Sequence, residues 1–146
     1  MQRVSEGGVY IEKENYCAEI GKGMVVLLGI KTGDTEEDVN FVADKCSNLR
    51  IFEDENEKMN LSIKDIKGET LIISQFTLYG ETAKGNRPGF TEAARSEEAI
   101  PLYEKFIERV KSNIGEEKVK TGKFGAMMLV KIMNDGPVTL TVESKR

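Results

Sequence analysis

Two short apolar runs constrain this chain more than anything else in it. Residues 24–30 (MVVLLGI) are β-branched and closed by glycines, and residues 70–76 (TLIISQF) form a second such run, so both read as buried strands. After the first run the period changes. In GDTEEDVNFVADKCSNL, Thr35 and Asp38 have the spacing of a capping box and acidic residues fill the first turn. Val39, Val42, Ala43 and Cys46 then fall on one face, which predicts an amphipathic helix. The second run leads into a glycine-rich loop, YGETAKGNRPGF, and then into a helix opened by Ser96. Pro101 is tolerable only near the first turn of that helix, and Ile100, Tyr103, Ile107, Val110 and Ile114 make its expected apolar face.

The remaining segments are shorter. Residues 9–11 and 16–20 flank a polar turn as a hairpin does, residues 49–52 suggest a strand, and EDENEKMN is a polar loop. Residues 127–133 and 138–143 read as the last two strands, with four strong turn formers, Asn134-Asp135-Gly136-Pro137, between them. Taken alone this stretch reads as a hairpin turn with an awkward proline. The total is about two helices and seven or eight strands, a mixed α/β domain. With no repeat, low-complexity tract or linker, 146 residues suit a single domain, 1–146.

Composition removes several classes of function. No apolar run approaches the roughly 18–20 residues of a membrane span, and MQRVSEGGVY has no signal-peptide core, so a cytoplasmic protein is expected. There is no histidine, which removes the commonest general base and metal ligand and every Ser-His or Cys-His arrangement. A net charge of −4 argues against bulk attraction to nucleic acid. A local patch of Lys84, Arg87, Lys120, Lys123, Lys145 and Arg146 would need the fold to assemble it; scattered solvated charge is the plainer reading. Cys17 and Cys46 form no metal-spaced pair and are expected to be free, packed thiols in a reducing compartment.

Several motifs fail on inspection. Gly80 to Gly85 has the glycine spacing of a phosphate loop but continues Asn86-Arg87, without the lysine and hydroxyl that such a loop requires. The acidic cluster Glu53, Asp54, Glu55 and Glu57 lacks the order of a calcium loop, and Asn60-Leu61-Ser62 is a sequon without a secretory signal. Met127, Met128 and Met133 are expected as core filler. No cofactor and no metal are predicted.

Two stretches remain. In SQFTLYG, strand alternation would put Ser74, Phe76 and Leu78 on one face and Gln75, Thr77 and Tyr79 on the other, at the rim of a glycine-rich loop. In NDGPVT, Pro137 cannot donate to a ladder, an X-Pro bond can be cis, and Gly136 permits close approach to its backbone. Together with their spacing, ISQFTLYG, KGNRPGF and FGAMMLVKIMNDGPVTL resemble the D-aminoacyl-tRNA deacylases, also called D-tyrosyl-tRNA deacylases. EIGKGMVVLLGIKTGDTEEDV, LRIFEDENEKMNLSIKDIKGE and TGKFGAMM extend that resemblance over nearly the whole chain. Two departures stand out. Members begin a few residues earlier, which leaves the first strand short here, and an acidic residue is expected where Met127 stands.

The resemblance implies a homodimer of layered sheets curling into a barrel-like core with two main helices. It implies cleavage of the ester that joins a D-amino acid, or glycine, to the 3′ acceptor end of tRNA, without DNA or a membrane as partner. It puts Ser74, Gln75, Phe76 and Thr77 around the terminal adenosine and ester, with Asn134 and Met128 also at the substrate. Gly136-Pro137, with a cis bond, would reach into the partner's pocket as a rigid wall that rejects L-side chains by clash. Lys84, Arg87 and Lys123 are its candidate RNA contacts. Two mechanisms follow: Thr77 as nucleophile, or attack by water with the ribose 2′-hydroxyl assisting and amides near Phe76 and Thr77 holding the oxyanion. A threonine hydroxyl without an adjacent base is a poor nucleophile, which favours water. The rivals are a non-catalytic nucleic-acid or nucleotide-binding module on the same scaffold and a general esterase.

Overall fold

The two apolar runs lie side by side. In the computed structural model, which describes residues 1–144, β3 (Gly23–Leu28) and β6 (Glu69–Ser74) pair in parallel from Gly23↔Glu69 to Leu28↔Ser74. β7 (Val119–Thr121) adds to β6, also in parallel. Lys145 and Arg146, two members of the possible basic patch, lie outside the described residues.

β1 (Gln2–Ile11) is the long strand that bends the sheet. Its start pairs with β3, its second half with β2 (Tyr16–Ile20), and its other edge with β8 (Leu129–Thr139), always antiparallel. The Tyr16 hydroxyl of β2 donates to the Thr121 carbonyl of β7 at 2.7 Å, which draws the far ends together into a nearly closed barrel. Alternation along the central strands serves two cores. Val25, Leu71 and Ile73 point inward to Val4, Val9, Ile11, Ala18 and Ile20. Met24, Val26 and Ile72 point outward, where α1 (Glu36–Asn48) and α2 (Ser96–Ile114) cover them with Val39, Ala43, Cys46, Tyr103, Phe106 and Val110.

The Thr35–Asp38 capping box forms at the start of α1. The helices are clamped by Arg109, whose Nε and Nη2 each donate to the Asp44 carboxylate at 2.8 Å, a bidentate geometry. A small hairpin, β4 (Phe52–Glu53) with β5 (Met59–Leu61), holds less of residues 49–52 in a strand than expected. No described helix is long and apolar enough to cross a membrane.

Several expectations are corrected. α2 buries Ala99, Tyr103, Phe106 and Val110, while Ile100 is exposed, because the contact with the sheet lies about one position round the helix from the expected face. Met127 and Met133 are exposed rather than core, since they occupy the outward positions of their segment, and Cys17 is likewise exposed. Cys46 is buried, and burial pushes its thiol up to about 11. Asn134 to Pro137 is no hairpin turn. β8 runs on through it as one strand, with Val4 opposite Asn134 and Gln2 opposite Thr139, so the intervening residues of β8 bulge out.

Candidate active site

β6 ends at Ser74, two residues short of the expected run, so Gln75 and Phe76 lie beyond the strand. The Gln75 N–H donates to the Leu28 carbonyl at 2.8 Å, and the chain then tightens into a 3₁₀ turn, Phe76–Tyr79. The strand alternation expected for SQFTLYG is therefore replaced by a turn. Gln75 and Thr77 still meet, because the turn folds them together: the Gln75 side-chain amide donates to the Thr77 hydroxyl. Phe76 and Leu78 are thrown outward, 57% and 56% exposed, and Phe76 rests edge-on against Phe90 at 5.1 Å between ring centres.

A cavity of about 280 Å³ opens beside this turn, at the carboxyl ends of the parallel strands, where ligands commonly bind in α/β sheets. Ser74, Gln75 and Phe76 form one wall, Ala94 just before α2 and Ala99 within it a second, and residues 124–128 a third. Its lining contains no charged side chain. Met128 is one of the lining residues, and its sulfur lies against Gly122. Thr77 is exposed just outside the lining. The polar groups on offer are the Ser74 hydroxyl, the Gln75–Thr77 pair and main-chain amides. The first N–H groups of a helical turn have no partner within it, and those here belong to Phe76 and Thr77.

Gly136 and Pro137 lie elsewhere on the same chain. They are exposed on the β8 bulge, and the bond between them is cis. Asn134 closes the neck of the bulge: its Oδ1 accepts from the Val138 N–H at 3.2 Å and its Nδ2 donates to Thr139 Oγ1 at 3.0 Å. Behind the bulge stands Arg3, 6% exposed. It donates from Nε to the Asp135 carbonyl at 3.1 Å and from Nη1 to the Ile51 carbonyl at 2.7 Å, with the Asp135 and Glu53 carboxylates at 3.6 and 3.9 Å. A Cβ on Gly136 would collide with this guanidinium, and the residue's φ of +115° suits glycine. Sequence reading missed Arg3; its only signal was a charge inside the apolar-facing part of β1.

Lys84 and Arg87 are exposed on the loop that follows the turn. Lys123 is engaged locally, 3.0 Å from the Glu14 carboxylate and over the Tyr16 ring at 4.7 Å.

The D-Tyr-tRNA(Tyr) deacylase family model matches residues 1–143, and the chain belongs to that family. It is 55% identical over 147 residues to a D-aminoacyl-tRNA deacylase of Clostridium beijerinckii, covering 100% of this chain and 96% of that one. The counterpart in Flavobacterium psychrophilum is 50% identical, with 99% and 95% covered. Among solved structures, the c-Myc DNA Unwinding Element Binding Protein superposes with a TM-score of 0.92 at 41% identity, covering 99% and 97%. A probable eukaryotic D-amino acid tRNA deacylase shares the fold, with a TM-score of 0.76 at 18% identity over 93% and 92%.

Proposed function

We propose that this chain hydrolyses the ester of D-aminoacyl-tRNA, and of glycyl-tRNA formed in error, releasing the amino acid and tRNA in the cytoplasm. The observation that carries the reading is the uncharged cavity at the carboxyl ends of β3 and β6, with the Gln75–Thr77 pair at its mouth. Such a cavity suits a nucleobase and an ester, and family membership supplies the substrate class.

The site is completed by a second copy. Within one chain the bulge at Gly136-Pro137 does not line the cavity, while its tip is exposed and braced from behind by Arg3. Among the described residues β8 pairs with β1 alone, and Leu129 and Met133 are exposed along it, with Met127 just before it. An apolar row of this kind on a strand with an open edge favours a symmetric dimer. The partner's bulge then stands at the substrate's Cα and leaves room for hydrogen where an L-side chain would project.

Water attacks the ester carbonyl, the ribose oxygen leaves and takes a proton, and the oxyanion is held by the Phe76 and Thr77 amides. Thr77 orients rather than attacks, since the cavity holds no titratable side chain to serve as its base. The test is direct. The purified chain is mixed with D-tyrosyl-tRNA, L-tyrosyl-tRNA and glycyl-tRNA, and free amino acid is measured. Release from the D- and glycyl-forms but not the L-form is expected. Tight binding without release would favour the nucleic-acid-binding reading that the 41% identical unwinding-element-binding protein suggests, and turnover of small esters without tRNA would favour a general esterase.

A further inference from the structure

The third wall of the cavity beside Gln75 lies off the sheet. β7 ends at Thr121 and β8 begins at Leu129, so wall residues 124–128 belong to no strand. The Gly122 N–H donates to the Ile72 carbonyl at 3.0 Å, and a turn follows in which the Ala126 N–H donates to the Lys123 carbonyl at 3.2 Å. Gly125, the third residue of that turn, has φ +76°, which suits glycine at this position. A turn closed by one hydrogen bond does not fix its own orientation; the side chains on its flanks do.

On one flank Phe124 packs against Tyr103 of α2, with ring centres 5.7 Å apart. The Tyr103 hydroxyl donates at 3.2 Å to the Ile72 carbonyl, the same oxygen that receives Gly122. On the other flank the β1–β2 hairpin reaches across. The Tyr16 hydroxyl donates to the Thr121 carbonyl at 2.7 Å, and the Lys123 ammonium lies 4.7 Å from the centre of the Tyr16 ring. Lys123 Nζ also donates at 3.0 Å to the carboxylate of Glu14, in the 3₁₀ turn Glu12–Glu14. Tyr16 therefore holds the chain on both sides of Gly122, before it through the hydroxyl and after it through the ring. The Met128 sulfur fills the space that a Cβ on Gly122 would need, so movement of Gly122 is passed to a residue that lines the cavity. Tyr16, Lys123 and Glu14 do not line it themselves.

We propose that Tyr16 and Lys123, backed by Glu14, are positioning residues that set the cavity's width between the Phe76 wall and residues 124–128. The inference rests on the reading of that cavity as the seat of the terminal nucleoside and ester. A gap of 0.5–1 Å along a flat base forfeits roughly a quarter to a half of its dispersion contacts, so the latch governs binding. The chemical step depends on the amides of Phe76 and Thr77, which stand on another wall. The ion pair is open to solvent at both ends, so the effect is modest and shared with the ring.

The test compares D-tyrosyl-tRNA with the 3′ D-tyrosyl ester of adenosine, which has no phosphate. Tyr16→Phe and Lys123→Gln should each raise KM about three- to fivefold on both substrates, with kcat changed less than twofold. Lys123→Arg, which keeps the charge over the ring, should restore KM. In a spectrum of methyl-labelled methionines both variants should move the Met128 resonance and leave Met59, exposed on β5, in place. A KM rise confined to the tRNA would make Lys123 a phosphate contact and overturn the proposal. An unchanged KM on both substrates, or an unmoved Met128 resonance, would overturn it too. If the unaltered chain cleaves neither ester, the deacylase reading fails, and the Met128 resonance alone decides whether the latch sets the wall.

Discussion

Arg3 donates from Nε to the main-chain carbonyl of Asp135 at 3.1 Å, so the start of the chain holds the bulge near its end. The same guanidinium reaches the Ile51 carbonyl, which ties the small hairpin to the same point. One buried charge thus fixes three segments that are remote in sequence.

Replacing Arg3 by methionine removes the charge but leaves two carbonyls unsatisfied. A loss of about 2–4 kcal/mol in unfolding free energy is expected from urea denaturation. If the bulge acts as the stereochemical wall, discrimination should fall as well: at a temperature where the variant is folded, L-tyrosyl-tRNA should be cleaved at a measurable rate. A folded variant that still spares the L-form would separate Arg3 from chirality.

Thr77→Ala distinguishes the two mechanisms. With water as nucleophile, single-turnover cleavage of D-tyrosyl-tRNA should fall by less than about tenfold, equivalent to roughly 1.4 kcal/mol of barrier. Loss of a covalent nucleophile costs far more, on the order of a millionfold in a well-studied hydrolase. Thr77→Ser as a second variant should then behave like the unaltered chain under either mechanism.

Leu129→Glu tests the proposed dimer. Leu129 is 71% exposed on one chain, so a charge there costs an isolated subunit little. In a two-fold interface the same charge would be buried opposite its copy. Sedimentation velocity should show a monomer with native circular dichroism, and deacylation should fall with dimer content.

Thr70 sits fully buried in β6, and its hydroxyl has no hydrogen-bond partner. Thr70→Val keeps the shape and removes the desolvated polar atom. A gain of about 1 kcal/mol is expected, read as a higher midpoint in thermal melts. A loss would mean that the hydroxyl is satisfied in solution.

Asp44 links stability to pH. Hydrogen bonds from Arg109 and Asn113 lower its carboxyl to about 2. A depressed carboxylate stabilises the fold above its unfolded value of about 3.9, and that contribution is lost as pH falls through the folded value. Asp44→Asn should therefore be less stable than the unaltered chain at neutral pH, with the gap closing below about pH 4 and nearly gone near pH 2. The group is partly exposed, so the gap should be modest and shrink with added salt.

Much of the fold is legible in the sequence. MVVLLG and TLIIS declare strands buried on both faces, and Thr35 with Asp38 declares the start of α1, because each signal depends on residues within a turn or two of each other. The motifs that carry the family resemblance are equally local. Ser74, Gln75, Phe76 and Met128 do gather at one cavity.

What failed, failed where the deciding partner is distant. Asn134-Asp135-Gly136-Pro137 has the composition of a turn, yet β8 continues through it, because β1 offers a partner on both sides of the bulge and Arg3, 132 positions away, captures its carbonyl. The face that α2 buries was misplaced by a similar cause: periodicity finds a stripe, but only the sheet it meets selects which side is covered. Sequence alone determined the two main helices, the buried strands β3 and most of β6, and the family resemblance, because periodicity, capping and motif spacing are written along the chain. Tertiary structure alone decided the bulge, the Arg3 brace and the cavity beside Gln75, because those depend on backbone and charge meeting across residues that no local pattern connects.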